Sequence, residues 1–428
     1  MGIRFPIFRA AAFALVSAAS APLWAAEPLA LAEALRLAVE RSPLLRAQRL
    51  LAVAAGEQAV AAGQLPDPVL RLGIDNLPVD GPDRGSVSRD FMTMRRIGIM
   101  QELPRAEKRQ LRTQRLERDV QRARAQQQLT LADVQQGTAL AWLERHYAQA
   151  MGELVGQQRE ETRLQVQAAD VAFRSGRGTQ ADVFAARAAL ISIEDRLSQI
   201  DGQSRSAGLM LGRWVGADAA SRPSSGPPAW QAMPLQGPAF EERIGQHPDL
   251  QVIRAEIDAA QTDARLALAN RQSDWTVEAS YSQRGPAYSN MLSLGLSIPL
   301  QWDAANRQNR ELAARLALVD EAKERYEDRL RSREAEARGL LNDWQTGQDR
   351  LARQRTELIP AMRQRAEAML TAYRSGKSDL AGTLAARRDE IDARIQALSL
   401  EADTARAWIR LKFLTPDDAL AAPLKDQP

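Results

Sequence analysis

The hydrophobic positions of this chain follow a helical period over most of its length. In residues 29–62, apolar side chains such as Leu31, Ala34 and Leu35 fall three or four positions apart, which predicts an amphipathic helix. Ser42-Pro43 marks a kink or a restart near its beginning. The same spacing predicts helices over residues 107–174, 179–215, 240–270, 303–374 and 379–414.

The length of these helices excludes an ordinary globular core. A continuous helix over residues 107–174 would extend roughly 100 Å at about 1.5 Å per residue. The matching run over residues 303–374 contains Pro360, which predicts a kink a few turns before its end. Long helices of this kind pack side by side as rods, with scattered Leu and Val side chains forming the seam.

Four short stretches change to a period of two residues, which is typical of strands with two different faces. The clearest is residues 275–281, where Trp275, Val277 and Tyr281 alternate with polar side chains. The four predicted strands are residues 68–75, 91–102, 275–281 and 291–298. They form one β-hairpin in each half of the chain, over residues 68–102 and 275–299, and the first hairpin has a long exposed loop.

A short motif occurs twice, 200 residues apart. Ala172-Phe173-Arg174-Ser175-Gly176-Arg177 is repeated as Ala372-Tyr373-Arg374-Ser375-Gly376-Lys377, each between two long helix-forming runs. A Ser-Gly step is the place where such a chain can reverse, so each copy predicts the tip of a helical hairpin. The chain is therefore predicted to consist of two tandem structural repeats.

The order of these features predicts the organisation of the whole chain. It comprises a signal peptide at residues 1–26, a first repeat at 27–216, a linker at 217–239, a second repeat at 240–414 and a tail at 415–428. Residues 1–26 carry Arg4 and Arg9, then an apolar run and small residues up to Ala25-Ala26, which is the three-part form of a secretory signal. An uncleaved N-terminal anchor is the alternative.

Composition narrows the class of protein. The chain is 45% hydrophobic but only 5% aromatic, which favours long packed helices over broad cores. Its 57 basic and 54 acidic residues alternate along the helices, so no nucleic-acid partner is predicted. Zero cysteine removes disulfides, thiolate metal sites and a lipidated N-terminal cysteine.

The strands suggest a membrane location. Alternating apolar and polar faces are the pattern of a membrane β-barrel, but four strands cannot close one, and open edges are not tolerated in lipid. Several chains must then contribute to one barrel. The alternative is two soluble hairpins packed on a core. The signal peptide argues against it, as does the lack of an aromatic-rich core for the hairpins to cover.

The order of helix, hairpin, long helix pair and linker, then the same again, with the doubled tip motif, resembles the TolC-type outer membrane efflux proteins. This resemblance covers essentially the whole mature chain. It implies a mainly α fold with membrane β structure: a homotrimer with a twelve-stranded β-barrel in the outer membrane and a periplasmic α-helical tunnel. It also implies a periplasmic adaptor protein and an inner-membrane RND transporter as partners.

Within that family, residues 96–104 look most like the channels of heavy-metal RND efflux systems. The chain nevertheless offers no metal site, because His146 and His247 are its only histidines and its carboxylates are scattered. Met92, Met94 and Met100 are candidate soft ligands for copper or silver, although methionines in strands and loops usually pack and do not bind metal. No cofactor is predicted, since a passive duct needs no tight site.

The resemblance also implies where a gate would lie. TolC-like tips often carry acidic residues six and nine positions after the tip glycine; Asp182 matches after Gly176, whereas Ala185, Gly382 and Ala385 do not. The candidate gate and tip residues are Arg177, Asp182, Tyr373, Lys377 and Asp379. The candidate adaptor-docking residues are Arg174, Ser175, Gly176, Arg374, Ser375 and Gly376. Ordinary solvated hairpin residues are the alternative interpretation of each.

Two other functional classes compete with an exit duct. An enzyme is disfavoured because the chain has no zinc-protease motif, no nucleophile elbow and no P-loop. A periplasmic helical-hairpin adaptor is the serious alternative to an exit duct. Such an adaptor should carry many short strands after one hairpin, whereas here the hairpin is duplicated with two strands in each half.

Overall fold

The computed structural model describes residues 27–227, 229–232 and 238–414, with the side chains of 238–241 left aside. The predicted signal peptide and C-terminal tail lie outside these residues. In the first half the elements are α1 (Leu31–Arg41), α2 (Pro43–Ala62), β1 (Val69–Asp75), β2 (Met94–Leu103), α3 (Ala106–Arg174), α4 (Gln180–Val215) and α5 (Ala217–Ser221). In the second half they are α6 (Pro238–Gly245), α7 (Pro248–Ala269), β3 (Trp275–Gln283), β4 (Met291–Ser297), α8 (Gln308–Arg353), a π-helical turn (Gln354–Leu358), α9 (Ile359–Arg374) and α10 (Leu380–Leu414).

The structure differs from the predicted elements at three places. The strand predicted from Phe91 begins only at Met94, because the Asp90 carboxylate accepts the backbone N–H groups of Met92 and Thr93 and holds them in a turn. The helix predicted over residues 240–270 is two helices that break at His247. The long helix predicted from residue 303 begins at Gln308 and contains the π-helical turn just before Pro360, which has no N–H to donate.

Both hairpins join one antiparallel sheet of order β1-β2-β3-β4. The register places apolar side chains of all four strands in rows on one face; the central row is Leu70, Ile99, Ala279 and Leu294. The next row is Leu72, Ile97, Tyr281 and Leu292. These large side chains are exposed, with Leu294 79% and Leu292 73% accessible. We call this the apolar face, and the opposite one the polar face.

The helices form rows alongside and beyond the sheet. Near the sheet, α2 packs on α3, α3 on α7 and α7 on α8, so α2 and α8 are the outer members of this row. Farther along, α3 packs on both α4 and α10, and α10 packs on α9. Among the residues described, no helix is long and apolar enough to cross a membrane.

The main core lies between the long helices, where they contact the segment that joins the two repeats, and it contains no residue of the sheet. It contains the buried rings of Trp142, Trp230, Trp344, Trp408 and Phe413. Five of the eight tryptophans of the chain lie in or against this core, the fifth being the partly buried Trp214, a grouping that the low aromatic content did not predict. The core joins α1, α3, α4, α8 and α10 to the segment between the repeats.

The two repeats use the same internal hydrogen bond. The indole N–H of Trp142 on α3 donates to the Leu29 carbonyl at 2.9 Å, and that of Trp344 on α8 donates to the Trp230 carbonyl at 2.9 Å. Leu29 and Trp230 stand just before the first helices of their repeats. The internal duplication is therefore present in the tertiary contacts as well as in the sequence.

The predicted linker at residues 217–239 is anchored over its described part. It begins with α5, and a parallel bridge then joins Ser224 to Leu29. Beyond it, Trp230 is 2% exposed, and the Trp408 indole donates to the Ala232 carbonyl at 2.8 Å. Indole N–H groups hold its backbone because a buried carbonyl without a donor would cost free energy.

Trp344→Phe is expected to loosen this linker. Phenylalanine fills most of the same space but leaves the Trp230 carbonyl without its donor, a loss of about 1–2 kcal/mol. Limited proteolysis should then cut between residues 223 and 238 several-fold faster than in the unchanged protein. Trp302→Phe, at a side chain 88% exposed, is the control; equal cleavage of both variants would show that the Trp344 bond does not hold the linker.

Candidate functional site

The two predicted tips adopt the same turn. Gly176 and Gly376 have φ angles of +71° and +72°, a region that L side chains rarely adopt. At the first tip Gly176 N donates to Phe173 O at 3.0 Å and Arg177 N to Ala172 O at 2.9 Å. This is a Schellman motif, and the second tip repeats it with Tyr373 and Lys377. Glycine is required at both tips because only it enters this conformation without strain.

The two tips of one chain pack against each other. A small apolar cluster joins Ala169 on α3, Val183 and Ala186 on α4 and Leu380 on α10. Tyr373, predicted as a tip contact, is partly buried against this cluster. The sequence offered no sign that residues about 200 positions apart would meet here, and the packing makes the two hairpins one structural end.

Asp182 lies in the first turn of α4 and forms a capping box with Thr179. Its carboxylate accepts the Thr179 backbone N–H at 2.9 Å and the Thr179 hydroxyl at 2.7 Å, while the Thr179 hydroxyl accepts the Asp182 N–H at 3.2 Å. The Thr179 hydroxyl and then its backbone N–H hold the pKa of Asp182 below the ordinary value. Asp182 is thus ionised and half-buried, and its carboxylate also has a structural role.

The second tip also has a cap at the start of its returning helix, but with different residues. Asp379 stands where the first copy has Thr179, and its carboxylate accepts the Gly382 N–H directly at 2.8 Å. A side chain at position 382 would press against the Asp379 carboxylate, since an added Cβ would lie 2.8 Å from its oxygen. In the first tip the cap needs both Thr179 and Asp182, whereas in the second Asp379 caps the helix alone. This explains why position 382 carries glycine and not an acidic residue.

The basic tip residues divide into two groups. Arg174 pairs with Asp170 at 2.6 Å, and the Arg177 guanidinium donates to the Ser175 hydroxyl at 3.3 Å. Within the described part of the chain, the exposed side chains of Arg374 and Lys377 have no ion pair or hydrogen bond. The second tip therefore presents free cationic groups to its surroundings.

Ion pairs behind the tips connect the two hairpins, and sequence reasoning missed them. Arg196 on α4 pairs with Asp392 on α10 at 2.7 Å, and Glu161 on α3 pairs with Arg387 at 2.8 Å. Glu390, whose side chain is 1% exposed, lies between Arg387 and Arg394 at 2.6 and 2.5 Å. No local pattern could have found these pairs, because the partners in the first two are about 200 residues apart.

A groove of about 740 Å³ runs between the hairpins beside these ion pairs. Its lining is mixed, with small side chains such as Ala185, Ala188 and Ser192 and charged ones such as Arg388 and Asp389. Ala185, the non-acidic residue nine positions after Gly176, is one of these small side chains. Its small side chain helps to keep the groove open.

The polar face of the sheet carries a separate set of charges. Arg71 pairs with Glu278 at 3.0 Å, and Arg96 pairs with Asp75 at 3.2 Å. Met94 and Met100 lie on this face, but the Arg71 guanidinium contacts the Met100 sulfur at 2.9 Å. A guanidinium at that sulfur opposes the binding of a metal cation there, and Met92 lies in the turn before β2.

Neither histidine is arranged as a metal ligand. The His146 ring stacks on Trp142 with centroids 5.6 Å apart, and burial lowers the pKa of His146. The His247 Nδ1–H donates to Asp249 at 2.5 Å, and Asp249 also accepts from Arg329 and Arg333. Among the described residues no group of three or more His, Cys, Asp or Glu is placed to hold a metal ion.

Residues 240–415 match the family described as outer membrane efflux protein. No curated protein matches the chain. The family match covers less than half of the chain and falls on the predicted second repeat.

Several solved structures share the fold over nearly the whole chain. The outer-membrane channel OprN is 17% identical with a TM-score of 0.76, covering 90% of this chain and 89% of that one. CusC is 15% identical with a TM-score of 0.76, covering 89% and 90%. VceC from Vibrio cholerae is 18% identical with a TM-score of 0.73, covering 89% and 94%. The sequence-based resemblance to this class of channel is therefore confirmed at the level of fold.

Proposed function

We propose that this chain, whose residues 240–415 match the outer membrane efflux protein family, is the exit duct of a tripartite efflux system. The duct passively conducts its substrate from an inner-membrane RND transporter and a periplasmic adaptor to the exterior. The observation that carries this proposal is a four-stranded sheet that is incomplete by itself, with one face covered by exposed apolar side chains. Lipid on one side and an aqueous lumen on the other satisfy both faces.

Association of several copies follows from the open edges. The sheet ends at β1 and β4, and the row of helices beside it ends at α2 and α8. Since an unpaired strand edge is not tolerated in lipid, β4 and α8 of one copy pair with β1 and α2 of the next. The number three comes from the family resemblance, which gives a twelve-stranded barrel and a helical tunnel.

Heavy-metal cations are the proposed substrate. The support is the resemblance of residues 96–104 to the channels of heavy-metal efflux systems, together with the fold shared with CusC. OprN and VceC share the same fold, so the substrate is a proposal about this chain's sequence and not about its architecture. Passive conduction is consistent with a polar face on which the acidic side chains Glu278 and Asp75 are neutralised by arginine.

The tips are the proposed contact with the adaptor. The two Schellman turns present Ser175, Gly176, Ser375 and Gly376 at one end of the molecule, packed together by the cluster around Ala186. Arg374 and Lys377, which pair with none of the described residues, can pair with acidic groups of a partner. The groove between the hairpins gives such a partner a place to insert beside the tips.

The duct is tested by conductance and by migration on gels. The purified full-length protein should form a heat-modifiable oligomer and open channels in planar bilayers. A periplasmic adaptor, the alternative function, would show neither. A monomer that stays in solution and opens no channel would contradict the proposal.

Asp182→Ala is expected to change single-channel conductance or cation preference, because it removes three negative charges from a threefold gate. Two variants separate charge from capping. Asp182→Asn keeps an acceptor for the Thr179 N–H but loses the charge, and Thr179→Ala keeps the charge but loses the hydroxyl of the capping box. If the gate is electrostatic, Asp182→Asn should alter conductance or cation preference as Asp182→Ala does, and Thr179→Ala should leave both unchanged. Unchanged conductance in several salts would remove Asp182 from the gate.

A further inference from the structure

Arg95 is a charged residue in an unusual place. It follows Met94 at the start of β2 and pairs with Ile74 on β1 and with Gln283 on β3, which places it on the apolar face. Its side chain is exposed. In the described residues it has no ion pair, hydrogen bond or ring contact. Its neighbour Arg96 lies on the polar face and is paired with Asp75 at 3.2 Å.

The position of Arg95 along the strands sets its depth. Trp275 begins the nine-residue strand β3, and Gln283 at the other end is the partner of Arg95. Nine strand residues span about 27 Å, and a tilt of about 40° reduces this to about 21 Å along the membrane normal. The apolar band of a membrane barrel is about 25 Å tall. Arg95 and Trp275 therefore stand at opposite borders of the band.

The orientation of the chain identifies which border Arg95 occupies. The Trp275 end of β3 adjoins α7, whereas the Gln283 end leads into the loop before β4. In the proposed duct the helices are periplasmic, so Arg95 lies at the outer border, at the level of the outer-leaflet headgroups. A lone guanidinium costs little free energy at this depth, but none of the described residues provides an acceptor for it on the apolar face.

We propose that Arg95 binds the phosphate of an anionic lipid headgroup in the outer leaflet. A guanidinium presents two parallel N–H donors that match phosphate oxygens, and lipid is the only neighbour that the apolar face meets at this height in the assembled duct. This site rests on the proposed function, because it requires the apolar face to be turned toward lipid. In a trimer the site occurs three times around the outer rim.

The test uses the full-length protein reconstituted in nanodiscs. The nanodiscs contain phosphatidylcholine with bisphosphorylated lipid A or with its dephosphorylated form, and native mass spectrometry counts the lipid A retained by each oligomer. Arg95→Gln is expected to weaken retention of the phosphorylated form about fivefold and to leave retention of the dephosphorylated form unchanged. Arg95→Lys should restore part of the loss.

Arg96→Gln is the matched control, since it removes the adjacent arginine from the opposite face. Equal loss in both variants would mean a general charge effect and would overturn the proposal, as would unchanged retention in Arg95→Gln. Inorganic phosphate that displaces lipid A at equal ionic strength would mean a site for soluble phosphate. Failure of the unchanged protein to enter nanodiscs would instead refute the duct itself.

Discussion

Leu294→Arg is expected to abolish assembly of the protein in the membrane. Leu294 is 79% exposed in the central row of the apolar face, beside Ala279 of β3. An arginine facing lipid at the midplane costs about 2–4 kcal/mol, and in a trimer this cost is incurred three times. The heat-modifiable oligomer should disappear from outer-membrane extracts, and the protein should be recovered as unassembled or degraded chain.

Ser293→Arg is the matched control for this change. Ser293 precedes Leu294 on β4, pairs with Ser280 and points to the polar face. An arginine there enters water, so the oligomer should form at near-normal levels while conductance changes. Normal assembly of Leu294→Arg, or equal loss in both variants, would contradict the assignment of the two faces.

Asp249→Asn is expected to lower the free energy of unfolding by about 3 kcal/mol. The Asp249 side chain is 8% exposed and accepts from His247, Arg329 and Arg333, with the Arg329 Nε–oxygen distance 2.7 Å. Neutralising one member leaves two guanidinium groups without their shared anion, and breaking a buried pair in this way costs about 3–5 kcal/mol. The lower end of this range of free energies applies because the Arg329 side chain is 43% exposed. Asp258→Asn, on an exposed part of the same helix, should change stability by under about 0.5 kcal/mol.

The pH dependence of this contribution has a definite sign. Burial by itself raises the pKa of Asp249, but the His247 hydrogen bond and charge and the Arg333 guanidinium outweigh it and hold the pKa well below the usual value. A depressed carboxyl pKa adds stability that is present above the unfolded pKa of about 4 and is lost as pH falls toward the folded pKa. The difference in free energy of unfolding between Asp249→Asn and the unchanged protein should therefore shrink as the pH falls. If the difference stays constant from pH 7 to pH 3, the Asp249 charge does not stabilise the junction of α6 and α7.

Local features of the sequence predicted local structure well. Alternating side chains in residues 275–281 identified β3, and the Ser-Gly steps at Gly176 and Gly376 identified both tips. The reason is that helix and strand periods and a left-handed glycine are properties of a few consecutive residues. Asp182 was found as a match to a family pattern, but its role in the capping box required coordinates, since a first-turn aspartate can cap a helix or face solvent.

Local sequence patterns did not predict contacts between distant parts of the chain. The sequence did not predict that β2 and β3, about 180 residues apart, pair in one sheet, or that Trp344 and Trp408 hold the linker. Nor did it predict that Asp249 joins two arginines of α8. Such pairings depend on how elements pack in three dimensions, and many partners compete for each side chain.

By itself the sequence determined the kinds of element, their order, their duplication and the presence of one apolar face on each strand, because each of these is encoded within a few turns of helix or a few residues of strand. The tertiary structure alone decided which strands are neighbours, which edges stay open and which charges are left without a partner. Arg95 illustrates the difference: in the sequence it is one of two adjacent arginines, and only the strand register places it, and not Arg96, on the apolar face.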